Sequence, residues 1–144
     1  MNDFYVWLKS TDSQNYYPKN VSDHFRVRLA ARLNFKNANW VVALKEIHIP
    51  ELAEPRPLDH QFYSVFTSIC GQSIVGDRSL SLLRKVKAEK ETYLSEFIHG
   101  YYIPVLKAEL EDIDIHILNE SGDYFTFLPG THTHCLFHFK KLKR

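Results

Sequence analysis

The chain has 144 residues, 44% of them hydrophobic and 14% aromatic, which provides for one packed core and leaves no room for a second. Eighteen basic residues against seventeen acidic ones give a formal charge of +1, which excludes a global field drawing the protein to nucleic acid or an anionic membrane. Ten Phe, eight Tyr and two Trp against a single Met lean towards β-sheet, where aromatic side chains suit a half-buried pleat.

The opening residues, Met1-Asn2-Asp3-Phe4-Tyr5, lack the basic start and apolar core of a secretory signal, and no stretch approaches the roughly 18 apolar residues of a membrane span. The expectation is a protein with no signal peptide and no span. A first strand is predicted over Phe4 to Leu8, followed by a loop over Asp12 to Asn20, rich in Ser, Asn, Tyr and Pro. Phe25, Val27 and Leu29 then alternate with Arg26, Arg28 and Ala30 as a half-buried strand does. Turn residues Asn34 to Asn39 lead into Trp40 to Pro50, an almost continuously apolar run that reads as a buried central strand ended by proline.

Pro55 and Pro57 make Glu51 to His60 a surface connection. Gln61 to Cys70 alternates as a strand, Gly71 and Gly76-Asp77 punctuate the chain, and Ser79 to Val86 reads as the next strand. Lys85 to Glu91 fits either a short helix or an exposed hairpin tip. Strands are then expected over Glu96 to Tyr102, Ile113 to Leu118, Tyr124 to Leu128 and Thr131 to Phe139, with turns at Asn119 to Asp123 and Pro129-Gly130. Eight or nine such short strands predict an all-β, antiparallel β-sandwich or jelly roll, within one domain spanning 1–144.

Few residues suggest chemistry. His132, His134 and His138 are predicted to share one face of the last strand with Leu136, opposite Thr133, Cys135, Phe137 and Phe139. Alternate histidines on a strand can share a tetrahedral ion, and His116 could join from a neighbouring strand, but no local carboxylate or thiolate completes the set, so a plain polar face is the expectation. Glu109, Glu111, Asp112 and Asp114 read as a solvated run before a strand rather than an acid/base pair. Nucleophile turns and Gly-rich phosphate loops are missing, so no catalytic residue, cofactor-binding residue or metal ligand is assigned.

Cys70 and Cys135 lie in apolar runs and read as reduced, buried thiols. The tail Lys140, Lys141, Lys143 and Arg144 reads as a solvated strand end, and the triplets beginning at Asn20 and Asn119 as chance glycosylation matches. Tyr16, Tyr17, Tyr101 and Tyr102 are loop aromatics that could serve an interface, although core packing is the more frequent use of aromatic pairs in strands.

Three segments in order carry a family resemblance. They are Phe4-Tyr5-Val6-Trp7-Leu8-Lys9-Ser10 with Tyr17-Pro18-Lys19-Asn20 and Phe25; then Trp40 to Pro50; and finally Tyr102-Ile103-Pro104-Val105, Ile113 to Ile117, Ser121-Gly122-Asp123, Phe127-Leu128-Pro129-Gly130 and Cys135 to Lys141. Together they resemble virion proteins of Polinton (Maverick) elements and the related adintovirus-like viruses of animals, of the jelly-roll minor capsid or penton type. The terminal Phe137-His138-Phe139-Lys140-Lys141 departs from the Leu-His-Phe-Arg-Arg habit of that family, and the chain is shorter.

The resemblance implies a small jelly roll of about eight strands and a non-enzymatic structural role in the virion. Its partners would be further copies of the chain or a major capsid protein, with no small-molecule substrate and no nucleic acid. Trp40, Leu44, Ile47, Phe137 and Phe139 would hold the sandwich, while residues 51–60 and the Lys87 to Glu91 tip would make contacts. The alternatives are a β-sandwich binding module that recognises a receptor or glycan through an aromatic site near Tyr16 and Tyr17, a host-domesticated relic of such a viral protein, and a metal enzyme centred on His132 and His134.

Overall fold

Antiparallel pairing accounts for every strand in the computed structural model, which describes residues 3–36, 39–50, 62–87, 94–124, 127 and 130–142. Among these residues there are eleven strands and no helix: β1 (Asp3–Lys9), β2 (His24–Asn34), β3 (Trp40–His48), β4 (Phe62–Phe66), β5 (Ser73–Val75), β6 (Arg78–Leu80), β7 (Leu82–Lys87), β8 (Leu94–Glu96), β9 (Ile103–Pro104), β10 (Glu109–Asn119) and β11 (His134–Lys141).

The pairs are nested. β1 lies against β11, β2 against β10, β3 against β8 and β9, and β4 against β7. Rolling this folded-back ribbon distributes the pairs alternately between two sheets, β1-β11-β3-β8 with β9 also on β3, and β2-β10-β4-β7. That is a jelly roll. Short β8 and β9 share one strand position, and the β5–β6 hairpin is inserted between β4 and β7. Gly76 closes that hairpin with φ +63, the backbone that a tight turn of this hand needs at its first central residue.

Side-chain alternation sets what each sheet turns inward. Phe25 and Val27 of β2, Ile113, Ile115 and Ile117 of β10, and Tyr63 and Val65 of β4 meet Val42, Leu44 and Ile47 of β3 and Cys135, Phe137 and Phe139 of β11. Leu44, Ile47, Phe137 and Phe139 are fully buried as expected, and Trp40 packs half-buried against Phe4 and Phe35. Leu44 and Ile47 are three apart, an odd step for one face of a strand. The register explains it: Leu136 pairs with Glu46 but Phe137 with Leu44, so Lys45 is an extra, bulged residue that returns the alternation to phase. A second shift between Val65 and Phe66 does the same for Leu83 and Val86 of β7.

Several boundaries differ from the sequence reading. The strand begun at Phe62 stops at Phe66 instead of Cys70, because the Ser68 N–H turns to the Asp114 carboxylate rather than to a ladder. The Ser79 to Val86 run is broken at Ser81 into β6 and β7. Glu96 to Tyr102 is a strand only at Glu96. Beyond it Arg84 lies over the Phe97 ring and donates to the His99 carbonyl, drawing the backbone off the sheet edge.

β10 starts at Glu109, so the four carboxylates lie within the strand rather than before it. β2 continues to Asn34, and Thr131 to Thr133 precede β11. Lys85 to Lys87 are strand; the rest of the helix candidate, the 51–60 connection, Lys143, Arg144 and most of Tyr124 to Leu128 fall outside the described residues.

Candidate functional site

On the outer face of the first sheet, β1 turns out Tyr5 and Trp7, exposed at 56% and 66%. Register sets Tyr5 beside His138 and Trp7 beside Leu136. Tyr5 stacks on the His138 ring at 4.6 Å, and Tyr102 meets its edge at 5.6 Å. His138 is buried, with Nδ1 2.7 Å from the Tyr102 hydroxyl and Nε2 3.0 Å from the Asp3 carboxylate. Lys140 places its ammonium over the Tyr102 ring, so this part of the basic tail is engaged with the fold. The expected polar face is therefore an aromatic one, because the neighbouring strand contributes Tyr5 and Trp7 to it. Gly100 abuts the Tyr102 ring: a Cβ there would lie 2.5 Å from it. Gly100→Ala is expected to displace the ring, break its bond to His138 and cost about 1–3 kcal/mol, read as a lower urea midpoint.

The histidine expectation is corrected in its partners. His116 sits on β10 in the opposite sheet and cannot join His134; the histidine directly across from His134 is His48, at a ring separation of 6.0 Å. His132 lies 6.3 Å from the His134 ring, but His138 belongs to the Tyr102 and Asp3 contacts. Burial, then the neighbouring His48, Lys9 and His132, push the His134 pKa down. Among the described residues no three His, Cys, Asp or Glu side chains are gathered as a metal site requires.

The loop before β2 builds a second surface. Ser13 and Asn20 take the place of a strand along the β2 edge. Ser13 Oγ accepts the Arg28 N–H at 2.8 Å, and Asn20 accepts the Arg26 N–H at 2.9 Å while donating to the Arg26 carbonyl at 2.7 Å. Asn20 is thus a backbone cap, and Asn119 likewise caps the turn at Ser121 and Asp123.

Thus anchored, the loop borders an open cavity of about 360 Å³ lined by Tyr16 to Asn20, His24, Phe25, Arg26, Asp114 and His116. Asp114 is 7% exposed, and its carboxylate accepts Ser68 Oγ at 2.5 Å, the Ser68 N–H at 3.1 Å and His116 Nε2 at 3.0 Å. Burial opposes ionisation here, but the His116 and Ser68 bonds prevail and hold this carboxyl well below the usual range. His116 Nδ1 in turn meets the Tyr124 hydroxyl at 2.9 Å.

The other three carboxylates of β10 also have partners. Glu111 bonds Arg32, Glu109 bonds Lys36, and Asp112 accepts the Tyr17 hydroxyl at 2.9 Å. Glu109 and Glu111 are exposed, as a solvated run would be, whereas Asp112 is half-buried and Asp114 buried. Beside the cavity, across His116, a groove of about 700 Å³ runs between the β5–β6 hairpin and the turn at 119–122.

The sandwich also has an open side. β1 ends one sheet and β2 the other, and together they line a groove of about 570 Å³ through Val6, Trp7, Leu29, Ala30 and Leu33. Cys70 and Cys135 are buried and unpaired; burial pushes their thiols up to about 11 and about 12, which keeps both protonated and unreactive. No helix among the described residues is long and apolar enough to cross a membrane.

Neither a family model nor a curated protein matches the chain. Among solved structures, it is similar to the selenomethionine-labelled mavirus penton protein, with a TM-score of 0.67 and 8% sequence identity over 96% of this chain and 100% of that one. At that identity the likeness establishes a penton-like jelly-roll fold.

Proposed function

We propose that this chain is a structural virion protein of the minor capsid or penton kind, acting by self-assembly or by packing against other capsid proteins, and related to the Polinton and adintovirus-like group. The observation that carries this reading is the correspondence with a penton protein over nearly the full length of both chains. Two features support it. Exposed Trp7 and Tyr5 are the residue types that dominate protein contacts. The outer edges of β1 and of β2 beyond Arg28 lie on one side, and an unprotected strand edge invites cover by another chain.

Light scattering after size exclusion, over a concentration series at neutral and mildly acidic pH, tests the proposal. A discrete closed oligomer is expected, and Trp7→Ala should weaken it about 30-fold, the effect of losing a hot-spot contact of about 2 kcal/mol. A monomer at every concentration that also fails to bind capsid proteins would overturn it.

The open cavity at Tyr16 and Tyr17 favours a second reading, recognition of a receptor or glycan by the loop. Binding of a glycan by the isolated protein would support it.

A further inference from the structure

The outer face of the second sheet leaves two arginines without the partners their positions offer. Cross-strand register sets Arg26 opposite Asp114 and Arg28 opposite Asp112, where ion pairs would be expected. Instead Asp112 is taken by the Tyr17 hydroxyl, and Asp114 by Ser68 and His116. Both guanidiniums turn to the loop, Arg26 lying 5.8 Å from the Tyr17 ring centre and Arg28 5.0 Å from that of Tyr16. Among the described residues neither arginine forms an ion pair. A planar cation with free donors and an exposed aromatic face thus border one cavity.

We propose that this cavity binds the terminal acidic sugar of a glycan, a proposal that rests on the loop-recognition reading and names its ligand. A pyranose has an apolar C–H face, which matches the exposed Tyr16 ring. Its carboxylate meets Arg26, whose fork donates to two oxygens at once. About 360 Å³ is room for one substituted sugar ring, with the rest of a glycan extending into solvent. A nucleic-acid strand suits the site less well. Its successive phosphates would need a row of basic groups, and a chain with a formal charge of +1 supplies no general positive field for them.

The test uses the purified full chain on an array of sialylated, uronate-terminated, sulfated and neutral glycans, with binding of the free methyl glycosides followed by saturation-transfer NMR. Glycans ending in a carboxylated sugar are expected to bind at least tenfold tighter than their neutral counterparts. Arg26→Gln should remove at least that tenfold, Arg26→Lys should recover part of it, and Tyr16→Ala should weaken acidic and neutral sugars alike. Ile98→Ser, on an exposed loop away from the cavity, should change nothing. Circular dichroism melting confirms that each variant is folded. Equal binding of neutral and acidic glycans, or full affinity in folded Arg26→Gln, would overturn the acidic-sugar assignment and leave glycan recognition standing. Binding to no glycan, or a preference for a single-stranded oligonucleotide, would remove both.

Discussion

Phe139→Ala is expected to destabilise the protein by about 3–5 kcal/mol, a large fraction of the roughly 5–15 kcal/mol that a fold of this size possesses. The Phe139 ring is fully buried, stacked 5.0 Å from Phe4 and 5.4 Å from Phe35. β11 runs between β1 and β3, so this side chain joins the first strand of the chain to the last and to the centre of its sheet. Truncation removes the transfer energy of the ring and leaves a cavity that three strands, each held by its own ladder, cannot close. Urea unfolding followed by Trp fluorescence measures it: a lower midpoint with an unchanged slope is expected, and a loss below 1 kcal/mol would contradict the packing described.

Asp114→Asn is expected to cost about 2–4 kcal/mol, although it changes almost no volume, because bonds to an ionised acceptor contribute more than neutral ones. The Asp114 carboxylate ties β10 to the segment after β4 and orients His116, which holds Tyr124. The pH dependence has a definite sign. The folded-state pKa lies below the unfolded value, so the stabilisation is complete above the ordinary Asp range near pH 4 and is lost progressively as pH falls through it towards the folded value. The parent protein should therefore lose more stability between pH 6 and about pH 3 than Asp114→Asn does, with urea midpoints at the two pH values as the measurement. Equal losses would show that Asp114 is not ionised against these partners.

Asp114 also marks where legibility from the sequence ended. Its alternation with Ile113 and Ile115 placed it on the polar face of a strand, and the structure agrees. Its burial comes from Ser68, 46 positions away, and from the loop before β2, neither of which leaves a trace in the local pattern. Tyr17 and Asp112 are 95 positions apart, and the cavity that Tyr17 borders is legible in the sequence only as an aromatic loop. His48 was missed beside His134 for a related reason: an odd residue at Lys45 sets the register between their strands, and a bulge has no signature in hydrophobic periodicity.

By itself, the sequence determined the all-β class, the inward faces of β2, β10 and β11, and the apolar centre around Trp40 to Ile49, because a strand's side chains alternate with a period of two whatever it pairs with. Only the tertiary structure decided the nesting of first strand with last, the bulges that rephase β3 and β7, the aromatic outer face at Tyr5 and Trp7, and the turning of Arg26 and Arg28 to the Tyr17 and Tyr16 rings. Each of these depends on which distant strand lies alongside. Pairing is selected by the packing energy of the whole sandwich, which no window along the chain contains.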